Sequence, residues 1–106
     1  FYAGRGYFDP TASPSSDIWR FPRVVGAERY EHATPKPVAM IERAVVSSAR
    51  PGDLVLEPFA GTGTTLIACE NTDRICYCAE LSPRYAQTTI DRWEAFTGRK
   101  AERVAA

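Results

Sequence analysis

The segment 54–70 constrains the fold of this chain more than any other part of the sequence. Leu54-Val55-Leu56 is a short apolar run, which is typical of a β-strand buried on both faces of a sheet. The stretch 57–63 contains Pro and two glycines and predicts a turn, and 64–70 then predicts a helix. A strand that enters a helix through a glycine turn is the repeating unit of parallel sheets, so this segment predicts an α/β fold.

Similar signals place three more elements around this unit. Thr34 as a cap and Pro35 in the first turn predict a helix that ends near Ala49. The stretch 74–80 predicts a second buried strand, and Ser82-Pro83 predicts the start of a last helix that ends at Gly98. The order α, β, α, β, α with short connections implies parallel strands joined by right-handed crossovers. The apolar faces of the first and last helices are predicted to be Val38, Ile41 and Val45, and Ala86, Ile90 and Trp93.

Residues 1–30 differ from the rest of the chain. Residues 1–16 are rich in Gly, Pro, Ser and aromatic residues and show no period of 2 or 3.6, which predicts a loop or a frayed terminus. Only 17–21 alternates in the manner of a short strand, which Pro22 would end. The sequence therefore divides into a loop-rich segment, 1–30, and an α/β part, 31–106.

Composition and charge exclude several classes of protein. The 106 residues allow one domain, and 13 Lys and Arg balanced by 13 Asp and Glu exclude affinity for nucleic acid through a basic surface alone. No apolar run approaches the roughly 20 residues of a membrane span, and no signal sequence begins the chain. We therefore expect a cytoplasmic protein with no membrane partner.

The three cysteines, Cys69, Cys76 and Cys78, are an odd number in a chain without a secretion signal. This count argues against a disulfide framework and favours reduced thiols that serve in packing. A single Cys-x-Cys pair without a second pair of ligands also gives little support for zinc, so no metal is expected.

The glycine turn lies where α/β sheets bind ligands, beyond the carboxyl ends of the strands. A dinucleotide site would require a third glycine at the position of Leu66, and a P-loop would require a Lys after Gly63. Glu80, at the end of the next strand, can accept hydrogen bonds from ribose hydroxyls, while Glu57 can face a cationic group. An adenosine with a charged amino-acid tail suits these residues, and S-adenosylmethionine is such a molecule. A solvated strand end for Glu80 and helix capping by the threonines stay open as alternatives.

Three segments in sequence order carry a more specific signal. They are His32-Ala33-Thr34-Pro35-Lys36-Pro37, then Leu54-Val55-Leu56-Glu57-Pro58-Phe59-Ala60-Gly61-Thr62-Gly63-Thr64-Thr65, then Tyr77-Cys78-Ala79-Glu80-Leu81-Ser82-Pro83-Arg84-Tyr85. Together they resemble the C-terminal half of beta-class amino-group DNA methyltransferases, over about residues 16–98. Enzymes of this family transfer a methyl group from S-adenosylmethionine to N6 of adenine or N4 of cytosine in DNA.

The resemblance implies a partial Rossmann-like methyltransferase fold, with 31–106 as its cofactor-binding part and 1–30 as a remnant of the upstream, target-recognition region. It implies that Glu80 holds the ribose, that Lys36 lies near the carboxylate of the cofactor, and that Leu81 lies beside the adenine. The residues that it assigns to cofactor binding are Thr34, Lys36, Glu57, Phe59, Ala60, Gly61, Thr62, Gly63, Glu80 and Leu81.

The catalytic tetrapeptide of that family, Asp/Asn/Ser-Pro-Pro-aromatic, does not occur in these 106 residues. Asp9-Pro10-Thr11 lacks both the second proline and the aromatic residue. No catalytic residue is therefore assigned, and the chain, which starts at Phe1, is expected to be the C-terminal part of a site-specific DNA methyltransferase of the restriction-modification type, inactive alone. DNA is the expected partner of the complete enzyme. The alternative is a non-catalytic module or subunit that binds a nucleotide or cofactor.

Overall fold

The computed structural model describes residues 20–21 and 36–104 and contains the five elements that the sequence predicts, in the same order. They are α1 (Val38–Ser48), β1 (Leu54–Glu57), α2 (Thr64–Asn71), β2 (Ile75–Cys78) and α3 (Pro83–Thr97). The predicted α/β class is confirmed.

The two strands pair in parallel, with Leu54 beside Ile75 at one end and Glu57 beside Cys78 at the other. A parallel pair needs a crossover connection, and α2 supplies it. Both carboxyl ends consequently lie at the same edge of the sheet. This edge carries the turn after β1 and the Glu80 segment after β2.

The core of the described residues is built around α2. Its side chains Ile67, Ala68 and Cys69 are buried, and the helix contacts α1, β2 and α3. Val45 is the buried residue of α1, in agreement with the predicted apolar stripe. Asn71 at the end of α2 donates a hydrogen bond to the Glu42 carboxylate of α1 at 2.6 Å. α2 is thus the element against which the other helices and the sheet are arranged.

The prediction that both strands are buried on both faces is wrong for the described part of the chain. Side chains alternate between the faces of a strand, and α2 covers the face that carries Val55 and Cys76. The opposite face, which we call the outer sheet face, is exposed in the described part of the chain. It consists of Leu54, Leu56, Ile75 and Tyr77, which are 56%, 75%, 53% and 62% exposed.

The ends of the elements are set by local chemistry. α1 begins at Val38, later than predicted, because Lys36 precedes a proline and Pro37 has an extended ψ of 132°. Thr34 and Pro35, the predicted helix start, lie outside the described residues. β2 begins at Ile75 rather than 74, because the Arg74 N–H instead donates to the Cys69 carbonyl at the end of α2.

The start and end of α3 are confirmed as predicted. Ser82 caps the helix by accepting a hydrogen bond from the Tyr85 N–H, and Gly98 ends it with a left-handed φ of 71°. The predicted apolar face is only partly correct, because Thr89 is the buried residue of α3 while Ile90 is 40% exposed. Thr89 is buried because it lies against the glycine turn, as described below.

Three other expectations concern a strand near the start of the chain, membrane spans and metal sites. Of the predicted strand 17–21, residues 17–19 lie outside the described part, and Arg20 and Phe21 are not in a strand. Within 36–104 no helix is long and apolar enough to cross a membrane. The same residues contain no cluster of three or more His, Cys, Asp or Glu able to hold a metal ion.

The three thiols are free and lie close together where α2 faces β2. Burial raises the pKa of each of them, and it raises the pKa of Cys76 to about 12, with further contributions from Cys69 and Cys78. Because the thiolate is the reactive form, the raised pKa values disfavour nucleophilic behaviour of the thiols at neutral pH, and the buried Cys69 serves in packing.

Candidate functional site

The carboxylate of Glu57 closes the turn that follows β1. One of its oxygens accepts a hydrogen bond from the Phe59 N–H at 2.9 Å, and the other accepts from the Thr65 hydroxyl at 3.0 Å. Thr65 belongs to the first turn of α2, so Glu57 joins the end of the strand to the start of the helix. This arrangement fixes the entry and the exit of the segment Phe59–Gly63, which we call the glycine loop.

The carboxylate of Glu80 holds the glycine loop from the second strand. Its Oε1 accepts a hydrogen bond from the Gly61 N–H at 2.9 Å, and its Oε2 accepts from the Ser82 N–H at 2.8 Å. The Ala60 N–H also donates to the Ala79 carbonyl at 2.9 Å, which binds the loop to the chain after β2. A carboxylate has about four acceptor positions, so these two bonds leave capacity for hydroxyl groups of a ligand.

The two glycines of the loop are needed for different reasons. Gly61 has a φ of 58°, and a Cβ there would meet nothing within 4 Å, so this residue presents bare backbone to open space. Gly63 has a φ of 86°, and a Cβ there would lie 2.7 Å from Cγ2 of Thr89. Gly61 therefore allows close approach from outside, whereas Gly63 allows close packing of α3.

Two residues of α3 also contact the loop, and no sequence motif predicts either of them. Thr89 donates a hydrogen bond from Oγ1 to the Gly61 carbonyl at 3.1 Å. Arg92 donates from Nη1 to the Thr62 carbonyl at 3.3 Å and to Oγ1 of Thr64 at 3.1 Å. The only available signal was their spacing of three residues, which places them on one face of a helix.

The structure brings most of the predicted site residues to this edge of the sheet. Phe59 and Leu81 are 85% and 99% exposed, so two large apolar side chains stand beside the polar loop. Thr62 is buried as a whole residue, at 5% exposure, and its carbonyl accepts the hydrogen bond from Arg92. Lys36 is exposed ahead of α1, and within 36–104 no hydrogen bond or ion pair joins it to the loop. Thr34 lies outside the described residues.

The arrangement of carboxylates, bare glycine backbone and exposed apolar side chains can bind a ligand with a sugar and an aromatic ring. The family model described as DNA methylase (N6_N4_Mtase) matches residues 4–91, which is most of the chain. The chain belongs to the DNA methylase family.

Individual methyltransferases and a solved structure are similar to this chain. It is 39% identical over 79 residues to the type II methyltransferase M.BglII of Bacillus subtilis, covering 73% of this chain and 22% of that protein. It is 35% identical over 91 residues to the DNA adenine methyltransferase YhdJ of Escherichia coli K12, covering 84% and 31%. The crystal structure of the M1.HpyAVI–SAM complex matches with a TM-score of 0.66 and 31% identity, covering 84% of this chain and 44% of that one.

These matches have two consequences for the chain. Its elements form part of a Rossmann-like methyltransferase fold, as the sequence resemblance implied. The chain spans about a third or less of the length of the two curated relatives.

Proposed function

We propose that this chain is the C-terminal, cofactor-binding part of a DNA amino-methyltransferase that uses S-adenosylmethionine. The reaction is transfer of a methyl group to the exocyclic amino group of adenine (N6) or cytosine (N4) in DNA, as in restriction-modification systems. The observation that carries the proposal is the glycine loop held between the carboxylates of Glu57 and Glu80. Family membership and similarity to the complex of M1.HpyAVI with SAM support it.

The residues at the loop fit the chemistry of S-adenosylmethionine. The space beside Gly61 is open, so a ligand can approach the backbone without meeting a side chain. The remaining acceptor positions of Glu80 suit the two hydroxyls of a ribose. The exposed side chains of Phe59 and Leu81 offer apolar surface for an adenine ring. Thr34 and Lys36 stay predictions for the methionine end of the cofactor.

S-adenosylmethionine supplies an electrophilic methyl group on a positively charged sulfur. The contribution of this chain is to bind and orient that molecule. Glu80 accepts hydrogen bonds from the ribose, and Gly61 permits close contact. Glu57 sets the turn through Phe59 and Thr65 and places negative charge near the end of β1. In-line transfer depends mainly on positioning of the two reactants, so the part of this chain in the reaction is to hold S-adenosylmethionine in one place and orientation.

The catalytic tetrapeptide, which belongs to the base-binding half of such an enzyme, does not occur in these 106 residues. The outer sheet face gives a physical reason to expect additional structure, since parallel sheets are normally covered on both faces. Four large side chains on that face are half exposed or more. We therefore propose that further elements of a complete methyltransferase cover this face and supply the groups that hold a base flipped out of the duplex.

A titration and a product analysis test the proposal. The protein as its gene encodes it should bind S-adenosylmethionine, and Glu80→Gln should weaken binding on the order of tenfold or more, because a charged acceptor is lost. Glu102→Gln, in the exposed C-terminal segment, is the matched control and should leave affinity unchanged. Nucleoside mass spectrometry of incubated duplex DNA should show N6-methyladenine or N4-methylcytosine. Unchanged affinity in Glu80→Gln would remove this residue from the site.

The 106 residues alone should bind the cofactor weakly or not at all and should not methylate DNA. Robust methylation of duplex DNA by these residues alone would contradict the proposal that other elements of the enzyme are needed to hold the base. The absence of the catalytic tetrapeptide from them keeps one alternative, a non-catalytic module that binds a cofactor. Cofactor binding without methylated nucleosides, in the gene-encoded protein, would favour that alternative.

A further inference from the structure

Two polar side chains of α3 hold the glycine loop although they lie far from it in sequence. Thr89 binds the carbonyl of Gly61, and Arg92 binds the carbonyl of the next residue, Thr62. Thr89 is 6% exposed, so its hydroxyl makes this hydrogen bond in a site shielded from water. Two consecutive loop carbonyls are therefore anchored to one face of a regular helix.

The hydrogen bond from Thr89 restrains the backbone of Gly61 together with the bond to Glu80. Its N–H is bound by the carboxylate of Glu80, and its carbonyl is bound by the hydroxyl of Thr89. Both peptide groups of the residue are thus held while its Cα faces open space. A glycine without such restraints samples a wide range of φ and ψ, so the restraint is needed if the loop is to keep one shape.

We propose that Thr89 and Arg92 are positioning residues that set the cofactor affinity by keeping the glycine loop in its ligand-accepting conformation. The inference rests on the proposed function of the loop. A loop that is already ordered binds its ligand without an additional ordering penalty, and loss of order lowers the apparent affinity. Arg92 adds a second anchor at the start of α2, because it also donates to Oγ1 of Thr64.

Cofactor affinity of the gene-encoded protein gives the first test. Thr89→Val keeps the shape of the side chain but removes the hydroxyl, and the dissociation constant for S-adenosylmethionine should rise on the order of tenfold. Thr89→Ser retains the hydroxyl and should restore near-normal affinity. Thr88→Val is the matched control, because the Thr88 hydroxyl bonds only within α3, to the Arg84 carbonyl at 3.0 Å.

The kinetic pattern separates positioning from a general structural role. A positioning role predicts a raised KM for S-adenosylmethionine in Thr89→Val with kcat at saturation little changed. Simple loss of folded protein would lower kcat in proportion to the folded fraction and leave KM unchanged. Equal affinity in Thr89→Val and the wild type, or an equal loss in Thr88→Val, overturns the inference.

Hydrogen exchange of the ligand-free protein gives a second test that does not depend on the identity of the cofactor. Peptides that span 58–66 should exchange faster in Thr89→Val and in Arg92→Met than in the wild type, and Thr88→Val should leave them unchanged. Unchanged exchange in both loop variants overturns the inference even if cofactor binding is intact. A wild-type protein that fails to bind S-adenosylmethionine instead overturns the proposed function, while the exchange data still decide whether α3 orders the loop.

Discussion

The two glycines of the loop should respond differently to the same substitution, and the difference can be calculated from their surroundings. Alanine in the left-handed region costs about 1–2 kcal/mol. Gly61 has a φ of 58° with open space around it, so Gly61→Ala should lower the free energy of unfolding by about that amount. Gly98, with a φ of 71° and open space, is a matched control at the end of α3.

Gly63→Ala adds a steric term to the same backbone strain. The new Cβ would lie 2.7 Å from Cγ2 of Thr89, a side chain that is buried on α3 and has little room to move. Overpacking of this kind costs a further amount of about 1–3 kcal/mol, which gives a total of about 2–5 kcal/mol. Gly63→Ala should therefore be clearly more destabilising than Gly61→Ala or Gly98→Ala.

Urea unfolding of the gene-encoded protein measures the stability difference, and calorimetric titration with S-adenosylmethionine measures the functional one. Gly61→Ala should weaken cofactor binding, because its Cβ enters the space that the ligand would use, whereas Gly98→Ala should not. If the free energy of unfolding of Gly63→Ala is equal to or higher than that of Gly98→Ala, the assigned contact between the loop and α3 is refuted. Normal affinity in Gly61→Ala would refute the assigned direction of ligand approach.

Two further predictions concern the sheet. The pKa of the Cys76 thiol is raised from 9.0 to about 12, so its protonated form contributes fully to the free energy of unfolding below pH 9. This contribution is lost as the pH rises towards 12. Cys76→Ala should make the thermal midpoint fall less steeply across that range, and an identical slope would contradict the assigned shift. Leu56→Ser on the outer sheet face should cost about 1.5–3 kcal/mol in the gene-encoded protein if other elements cover that face. Val104→Ser, at an 87% exposed position, is its control, and equal urea midpoints for the two variants would argue that the face is open to solvent.

Most helices and strands can be predicted from the sequence, because short patterns of neighbouring residues determine where these elements begin and end. The Ser82 cap, the Gly98 stop and the apolar run of β1 each depend on a few neighbouring residues, and the structure contains all three features. The start of α1 was placed too early because a threonine-proline signal at 34–35 is followed by a second proline, whose constraint on Lys36 delays the helix. Where two such signals compete, the sequence does not show which one sets the start of the helix, and the backbone conformation must be known.

Contacts between distant residues could not be predicted in the same way. Glu80 was assigned to the site from its place at a strand end, but its hydrogen bond to the Gly61 N–H requires knowledge of the strand register. Thr89 and Arg92 carry no motif, and their role follows from how α3 crosses the loop. The burial expected for the outer sheet face was inferred from apolar composition, which indicates that a face needs a cover without identifying the cover.

The glycine loop between Glu57 and Glu80 is proposed to bind S-adenosylmethionine. A crystal structure of the gene-encoded protein with this molecule would locate the binding site. It should show ribose hydroxyls within hydrogen-bonding distance of the Glu80 carboxylate, ligand atoms in contact with the backbone of Gly61, and the adenine ring against Leu81 or Phe59. A ligand bound elsewhere, with the Glu80 carboxylate and the Gly61 backbone both untouched, would contradict the proposal.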